Sequence, residues 1–394
     1  MSLGQHCSRN IGKYYLATAL AQFAFYTPIA QIFYLDRQLS ILDIALLGIV
    51  WTITKMLFEL PSSILADKWQ RKGTLLTSSL FAIFQIVTLL FATEYWTFIL
   101  ASIFSAISYA FQSGTDVAFF YDSLKTEGKE DQFDKLWARQ SLYQQIPLFI
   151  SLIASGFLYQ VSPIFPFQIS LLFLIASLII ICTFKEPIIH KPLEESSFLN
   201  HLKGAALSVF GSKQLRFILL FSLVFCIGSD ISYGYGQIYL HSLALPVVLF
   251  GIVYTIKSLL VTLSQNVAAV VRKWLSDQWS FAFQIVTMTV LFYLMVFVEN
   301  PLWGAAMFIL IAIPHGLFGV TKSAYMHKNI ASHHRATVDS LTSFILTIVM
   351  LIIEPIIGYL ADLNNVKVPF MLIAVGLTLY CIYFFLAKKS LQKN

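Results

Sequence analysis

The chain has 394 residues, of which 58% are hydrophobic and 12% charged, with a mean hydropathy of +0.75. Soluble domains carry about 25% charged residues, so a water-exposed α/β protein is a poor fit and lipid is the solvent that tolerates such a surface. The formal net charge of +6 first raises the question of which side of a membrane the basic residues occupy, and it gives no reason to invoke nucleic acid.

A spanning helix needs about 20 mostly apolar residues. Such runs fall at Tyr14–Leu35, Ile44–Ala66, Thr74–Ala92, Thr97–Tyr121, Trp137–Tyr159 and Phe165–Phe184. After a polar stretch they resume at Phe217–Leu240, Val247–Val270, Trp279–Val298, Leu302–Met326, Ala336–Leu360 and Val368–Ala387. The first run is too long for a signal-peptide core and lacks a small-residue cleavage pattern, so it reads as a span. The predicted fold is an all-α polytopic membrane protein, with twelve transmembrane helices in two pseudo-symmetric six-helix bundles. The N-terminal bundle takes residues 1–184, a cytoplasmic linker 185–213 and the C-terminal bundle 214–394. Cys182, Cys226 and Cys381 lie inside apolar runs and Cys7 in the N-terminal tail. Their spacing suggests neither a disulfide framework nor a metal site, and no cofactor is expected.

Of the 26 Lys and Arg residues, 21 fall on one side of this topology and two, Arg37 and Lys367, on the other. The remaining three, Lys55, Lys257 and Lys322, lie within spans. Basic residues favour cytoplasmic loops, so both termini and the linker are expected in the cytoplasm. The expected location is the plasma membrane, or the inner membrane of a Gram-negative cell. The halves also carry a trace of repetition. Gly48-Ile-Val-Trp-Thr-Ile-Thr54 in span two matches Gly251-Ile-Val-Tyr-Thr-Ile-Lys257 in span eight. Gln31-Ile-Phe-Tyr-Leu35 similarly matches Gln237-Ile-Tyr-Leu240. Parallel repeats of six spans are a known transporter architecture.

At the end of span two the chain reads Glu59-Leu-Pro-Ser-Ser-Ile-Leu-Ala-Asp-Lys-Trp-Gln-Arg-Lys72. This resembles the loop between helices two and three of the major facilitator superfamily, Gly-x-Leu-Ala-Asp-Arg-x-Gly-Arg-Lys. Leu65, Ala66, Asp67, Arg71 and Lys72 match, whereas Ser63, Lys68 and Gln70 depart from it. The preceding Glu-x-Pro is similar to a bacterial subgroup of the superfamily, as is Gly114-Thr-Asp-Val-Ala-Phe-Phe-Tyr-Asp-Ser-Leu124. The resemblance implies a conformational latch of Asp67, Lys68, Arg71, Lys72 and Asp122. Asp67 would accept backbone N–H bonds at a helix N-terminus, and Arg71 would pair with Asp122. It further implies that helices one, four, seven and ten line a cavity. The arginine that antiporter branches carry four residues before the helix-four glycine is replaced by Ala110.

An ionisable residue near the bilayer centre costs about 2.5–3.5 kcal/mol and needs a reason to be there. The candidates for a substrate or proton site are Lys55, Glu59, Asp116, Asp230, Lys257, His315 and Glu354. Lys55 and Glu59 share a helix face and can pair. Lys322 lies near the cytoplasmic end, where it can snorkel. Asp230, in Gly228-Ser-Asp-Ile-Ser-Tyr-Gly-Tyr-Gly236, stands out because its glycines suggest a loosened helix lining a cavity. Tyr26, Gln112 and Tyr233 are the uncharged candidates.

The function expected is secondary active transport by alternating access. Proton-coupled export of a small polar or amphipathic solute, a drug or metabolite, comes first. Uptake of a small nutrient or iron chelate is the alternative. No phosphate-binding loop suggests an ATPase. A polytopic membrane enzyme would have only His333-His334-Arg335 and His327 to build on. The expected partners are the solute, protons and the lipid bilayer, with the chain monomeric.

Overall fold

The computed structural model describes residues 3–187, 213–329 and 332–391. Every regular element among them is helical, the outcome that lipid imposes on backbone polar groups. The chain divides into two compact units, one comprising residues 1–39 and 43–193, the other residues 40–42 and 194–394. The predicted linker, 185–213, lies mostly outside the described residues.

The first unit contains α1 (Leu3–Ala21), α2 (Ala30–Asp36), α3 (Ile41–Trp69), α4 (Arg71–Leu90), α5 (Tyr95–Gln112), α6 (Thr115–Thr126), α7 (Phe133–Val161) and α8 (Phe165–Cys182). The second contains α9 (Lys213–Gly234), α10 (Gly236–Ser242), α11 (Val248–Trp274), α12 (Asp277–Phe297), α13 (Pro301–Leu310), α14 (Ala312–Asn329), α15 (Ser332–Leu363) and α16 (Lys367–Leu391).

Among the described residues, eleven helical segments are long and apolar enough to span a bilayer, against the twelve spans expected. The discrepancy is the first span. The continuous run predicted over Tyr14–Leu35 is instead α1, a short 3-10 turn at Thr27–Ile29 and α2. Pro28 lacks the N–H that a continuous helix would use, and the start of α1 carries Arg9, Asn10 and Lys13.

Spans four, seven and ten are broken as well. Gly114 separates α5 from α6 at φ +76°, a left-handed conformation that glycine adopts without penalty. Tyr235 separates α9 from α10, and Ile311 separates α13 from α14. The breaks therefore fall in the first and fourth spans of each unit. The two units also share a packing scheme: the first span packs on the fifth, and the third on the sixth.

Aromatic rings fill both interiors, which accounts for much of the phenylalanine content. In the first unit Tyr14, Phe119, Phe120 and Phe184 cluster, with Phe119 stacked on Phe184 at 4.9 Å. In the second, Phe217, Phe221, Phe225 and Phe281 are buried, and Phe225 stacks on Phe318 at 4.5 Å. Serine hydroxyls tie helices together: Ser177 donates to the Ala17 carbonyl and Ser78 to that of Ser108, both at 2.8 Å. Such bonds matter in lipid, where apolar burial between helices gives little drive for association. Large apolar side chains face outward, among them Leu57, Phe91, Leu172 and Leu386, as a lipid-facing surface requires.

Candidate solute and coupling site

A cavity of about 250 Å³ opens within the first unit. It is bordered by α1 and the break after it, α4, α5, α6, α7 and α8. Its lining is neutral and rich in hydrogen-bonding groups: Gln22, Gln85, Gln112 and Gln144, Ser78, Ser79, Ser105, Ser108 and Ser177, with Tyr14, Tyr26 and Tyr109. Asp116 is the one carboxylate among the described residues that line it. Several hydroxyls donate to backbone carbonyls, as Ser78, Ser177 and Thr18 do. Their lone pairs remain available to a guest. The Tyr26 hydroxyl bonds the Gln85 side chain, and the Tyr26 ring stacks on Phe167 at 5.3 Å. The Tyr14 hydroxyl is buried with no hydrogen-bond partner, within electrostatic reach of Asp116. Asp116 begins α6, where its Oδ1 accepts from the Val117 N–H at 2.7 Å. Three of the sequence candidates, Asp116, Gln112 and Tyr26, thus share this cavity. Gln22, Gln85 and Gln144, which complete its amide lining, come from three different elements and share no sequence pattern.

Lys55 sits beside the cavity wall, its Nζ 5.0 Å from the centre of the Tyr109 ring and 5.7 Å from that of Trp51. The expected pairing of Lys55 with Glu59 does not form: among the described residues Glu59 is exposed and in no ion pair. Aromatic faces take the place of the carboxylate, since a ring quadrupole attracts an ammonium.

The second unit carries a different constellation. Asp230 lies in continuous helix, one turn before the break at Tyr235. Of the three glycines around it, Gly228 packs on Met288 and only the Gly234–Gly236 stretch marks the break. Asp230 and Glu354 act on one another electrostatically. The Tyr235 hydroxyl donates to the Glu354 carbonyl at 3.1 Å, next to Pro355 inside α15. Lys257 is buried, with its Nζ 3.5 Å from the centre of the Phe308 ring and 5.9 Å from that of Tyr233. The Lys257 charge also acts on His315. The Lys322 Nζ is 2.7 Å from Asp339.

At the end of the first unit where basic residues concentrate, Arg71 and Asp122 meet at 2.6 Å, Nε to Oδ2, with both side chains largely buried. The N-terminus of α4 is held by Glu186, a residue that sequence reasoning missed. Its carboxylate accepts from the backbone N–H groups of Arg71 at 2.6 Å and Lys72 at 2.9 Å. This is how a helix N-terminus favours an anion. Burial pushes the Glu186 carboxyl above its ordinary range, while the bonds from Lys72 and Arg71 pull it back. The Lys72 ammonium donates to the Cys182 carbonyl at 2.7 Å. The side chains of Asp67 and Lys68 lie outside the described residues, as do His333, His334 and Arg335. An acidic residue just before Pro187, at the end of span six, is the sequence signal that marks Glu186.

The fold, broken helices and polar cavity define a multi-pass membrane protein built on a transporter scaffold. Residues 14–353 match the family model of the Major Facilitator Superfamily, and the chain belongs to that family. The uncharacterized MFS-type transporter YxaM of Bacillus subtilis (strain 168) is 25% identical over 250 residues. That match covers 62% of this chain and 62% of the relative, less than two thirds of either. Among solved structures, the nucleoside transporter NupG has a TM-score of 0.76 at 15% identity, covering 99% of this chain and 100% of that one. The POT family transporter PepTSo has a TM-score of 0.74 at 12% identity, with 98% of each chain covered. A bacterial homolog of the human lysosomal transporter Spinster, inward-facing and unoccupied, has a TM-score of 0.73 at 13% identity over 100% of this chain and 99% of that one. At these identities the likeness concerns the fold. Membership of a transporter family excludes the polytopic-enzyme alternative.

Proposed function

We propose that the chain is a secondary transporter that carries a small polar or amphipathic solute by alternating access, coupled to protons. The observation that carries this reading is the neutral, amide- and hydroxyl-lined cavity of about 250 Å³, to which Asp116 adds a carboxylate. Small-molecule sites occupy about 300–1,000 Å³, so the cavity suits a small metabolite or one end of a larger solute. Amide side chains offer both donors and acceptors, which favours a solute with hydrogen-bonding groups over a hydrocarbon. Export is the proposed direction, on the resemblance of the Glu59-Leu-Pro61 loop to the bacterial subgroup.

For coupling we propose Asp230, with Asp116 second. An unpaired charge at membrane depth is costly, and cycling between neutral and charged forms eases that cost. The Arg71–Asp122 pair, with Glu186 bound to the first turn of α4, is the proposed fixed part of the latch. Breaking it biases one state of a conformational equilibrium. Both termini are proposed to be cytoplasmic on the distribution of basic residues, with the protein monomeric in the plasma membrane.

Counterflow of labelled solutes in proteoliposomes tests the transport reading. Exchange is expected for a hydrogen-bonding solute and is expected to fall at least tenfold in Gln112→Leu, Asp116→Asn double variants. A purified protein that exchanges no member of a broad library of polar and amphipathic solutes overturns it.

A further inference from the structure

The second unit holds a buried cation that the transport scheme so far leaves idle. Lys257 is only 9% exposed, yet no carboxylate among the described residues lies within ion-pairing distance of it. The carboxylates of this unit do not serve it: Asp230 and Glu354, which repel one another, are in no ion pair with it, and Asp339 holds Lys322 at 2.7 Å. What surrounds Lys257 is aromatic. Its Nζ lies 3.5 Å from the Phe308 ring centre and 5.9 Å from that of Tyr233. Ring faces attract an ammonium, but they offset only part of what its desolvation costs. They also accept none of its three N–H donors in a conventional hydrogen bond.

A second group beside it is also unsatisfied. Tyr254, one helical turn before Lys257 on α11, has a buried hydroxyl with no hydrogen-bond partner. The Tyr254 ring stands edge-on to Tyr233 at 6.3 Å. The packing of these rings depends on Gly236. A Cβ there would meet Phe308 ring carbons at 2.5 Å and the Tyr254 hydroxyl at 2.8 Å, so only glycine lets α10 approach so closely.

We infer that Lys257 and Tyr254 form an anion subsite, made to receive the carboxylate or phosphate of a transported solute. An anionic oxygen accepts from the ammonium and the hydroxyl together, giving both buried donors the partner they lack. The aromatic rings then pack against the apolar part of the solute. This assignment rests on the transport reading for its purpose, but the site itself is testable without transport.

The probes are benzoate, phenyl phosphate, the neutral isostere benzamide and benzylamine, each added to purified protein while thermal unfolding is followed. A ligand that binds the native state raises its apparent stability. Benzoate or phenyl phosphate should raise Tm, with the larger rise naming the preferred headgroup, and benzamide and benzylamine should not. Lys257→Met, which keeps length and apolar packing, should abolish the shift. Lys257→Arg should retain part of it, and Tyr254→Phe should weaken binding about tenfold, the loss of one buried hydrogen bond. The inference is overturned if neither anion shifts Tm, if benzamide matches benzoate, or if Lys257→Met keeps the shift. A protein that exchanges neutral solutes but ignores the anions loses the subsite and keeps the transport reading. One that binds the anions through Lys257 but exchanges nothing loses the transport reading and keeps the subsite.

Discussion

The two units are built to one plan and equipped differently. Each breaks its first and fourth spans, and each packs its first span on its fifth and its third on its sixth. The first unit lines its cavity with glutamines and serines, with Asp116 the one carboxylate among the described lining residues. The second carries Asp230, Lys257, His315 and Glu354 within spans seven, eight, ten and eleven. Their basic ends differ as well. Arg71 reaches Asp122 across 51 residues, from the third span to the fourth, whereas Arg272 reaches Asp277 only five residues on, across the short connection between the eighth and ninth spans. A repeat thus preserves helix packing, which depends on small and apolar residues. It leaves the polar groups free to diverge, into a mostly neutral cavity lining in one unit and several ionisable side chains within the spans of the other.

The largest expected effect comes from the long-range ion pair. Arg71→Ala leaves Asp122 largely buried and unpaired, which costs about 3–5 kcal/mol for a buried pair. Transport should fall more than tenfold, with insertion into the membrane retained. The matched change in the second unit, Arg272→Ala, breaks a pair between residues only five apart and somewhat more exposed, so its loss should be the smaller. Thermal melts of both variants in detergent check the contrast, and equal losses would break it.

Glycines sharpen the comparison of the broken spans. Gly236→Ala should cost about 1–3 kcal/mol by overpacking against Phe308. Gly114→Ala meets no neighbour within 4 Å but must hold φ at +76°, which costs about 1–2 kcal/mol for an L-residue. Gly114→Asn should recover part of that loss, because asparagine tolerates the left-handed region, and Gly236→Asn should recover none. Denaturation midpoints of the four variants decide the matter.

The smallest effect concerns Glu186. Its carboxyl is raised above the ordinary 4.5 in the native state, so the native protein binds that proton more tightly than the unfolded chain. The corresponding stability is present below the unfolded value and is lost as pH rises through the folded one. In Glu186→Gln that pH dependence should vanish, at a loss of roughly 1 kcal/mol for the weakened helix cap. Melting temperatures recorded on both sides of the window, for wild type and variant, measure it.

Much of the fold is legible in the sequence, because span length, apolar runs and the sidedness of Lys and Arg are local or additive signals. The first span reads as continuous there, since hydropathy averages over Pro28 and over the polar start of α1. The glycines near Asp230 suggest a loosened helix, but Gly228 is there for Met288 and the helix breaks only after Gly234. Asp116, Gln112 and Tyr26 stand out as polar residues in spans, and they share one cavity. Gln85 and Gln144 do not, because an amide in an apolar run gives no hint of which face it occupies. Phe308 is equally hidden among 35 phenylalanines, since its role comes from where tertiary packing sets its ring against Lys257.

The central proposal is that Asp230 in the second unit carries the coupling charge while the cavity of the first unit supplies the neutral part of recognition. Transport in proteoliposomes with and without an imposed pH gradient, for wild type, Asp230→Asn and Asp116→Asn, tests it most directly. The account predicts that Asp230→Asn loses gradient-driven accumulation but keeps counterflow, and that Asp116→Asn weakens solute exchange before it weakens coupling. Gradient responses equal to wild type in both variants would contradict it and turn attention to Glu59 and Glu354.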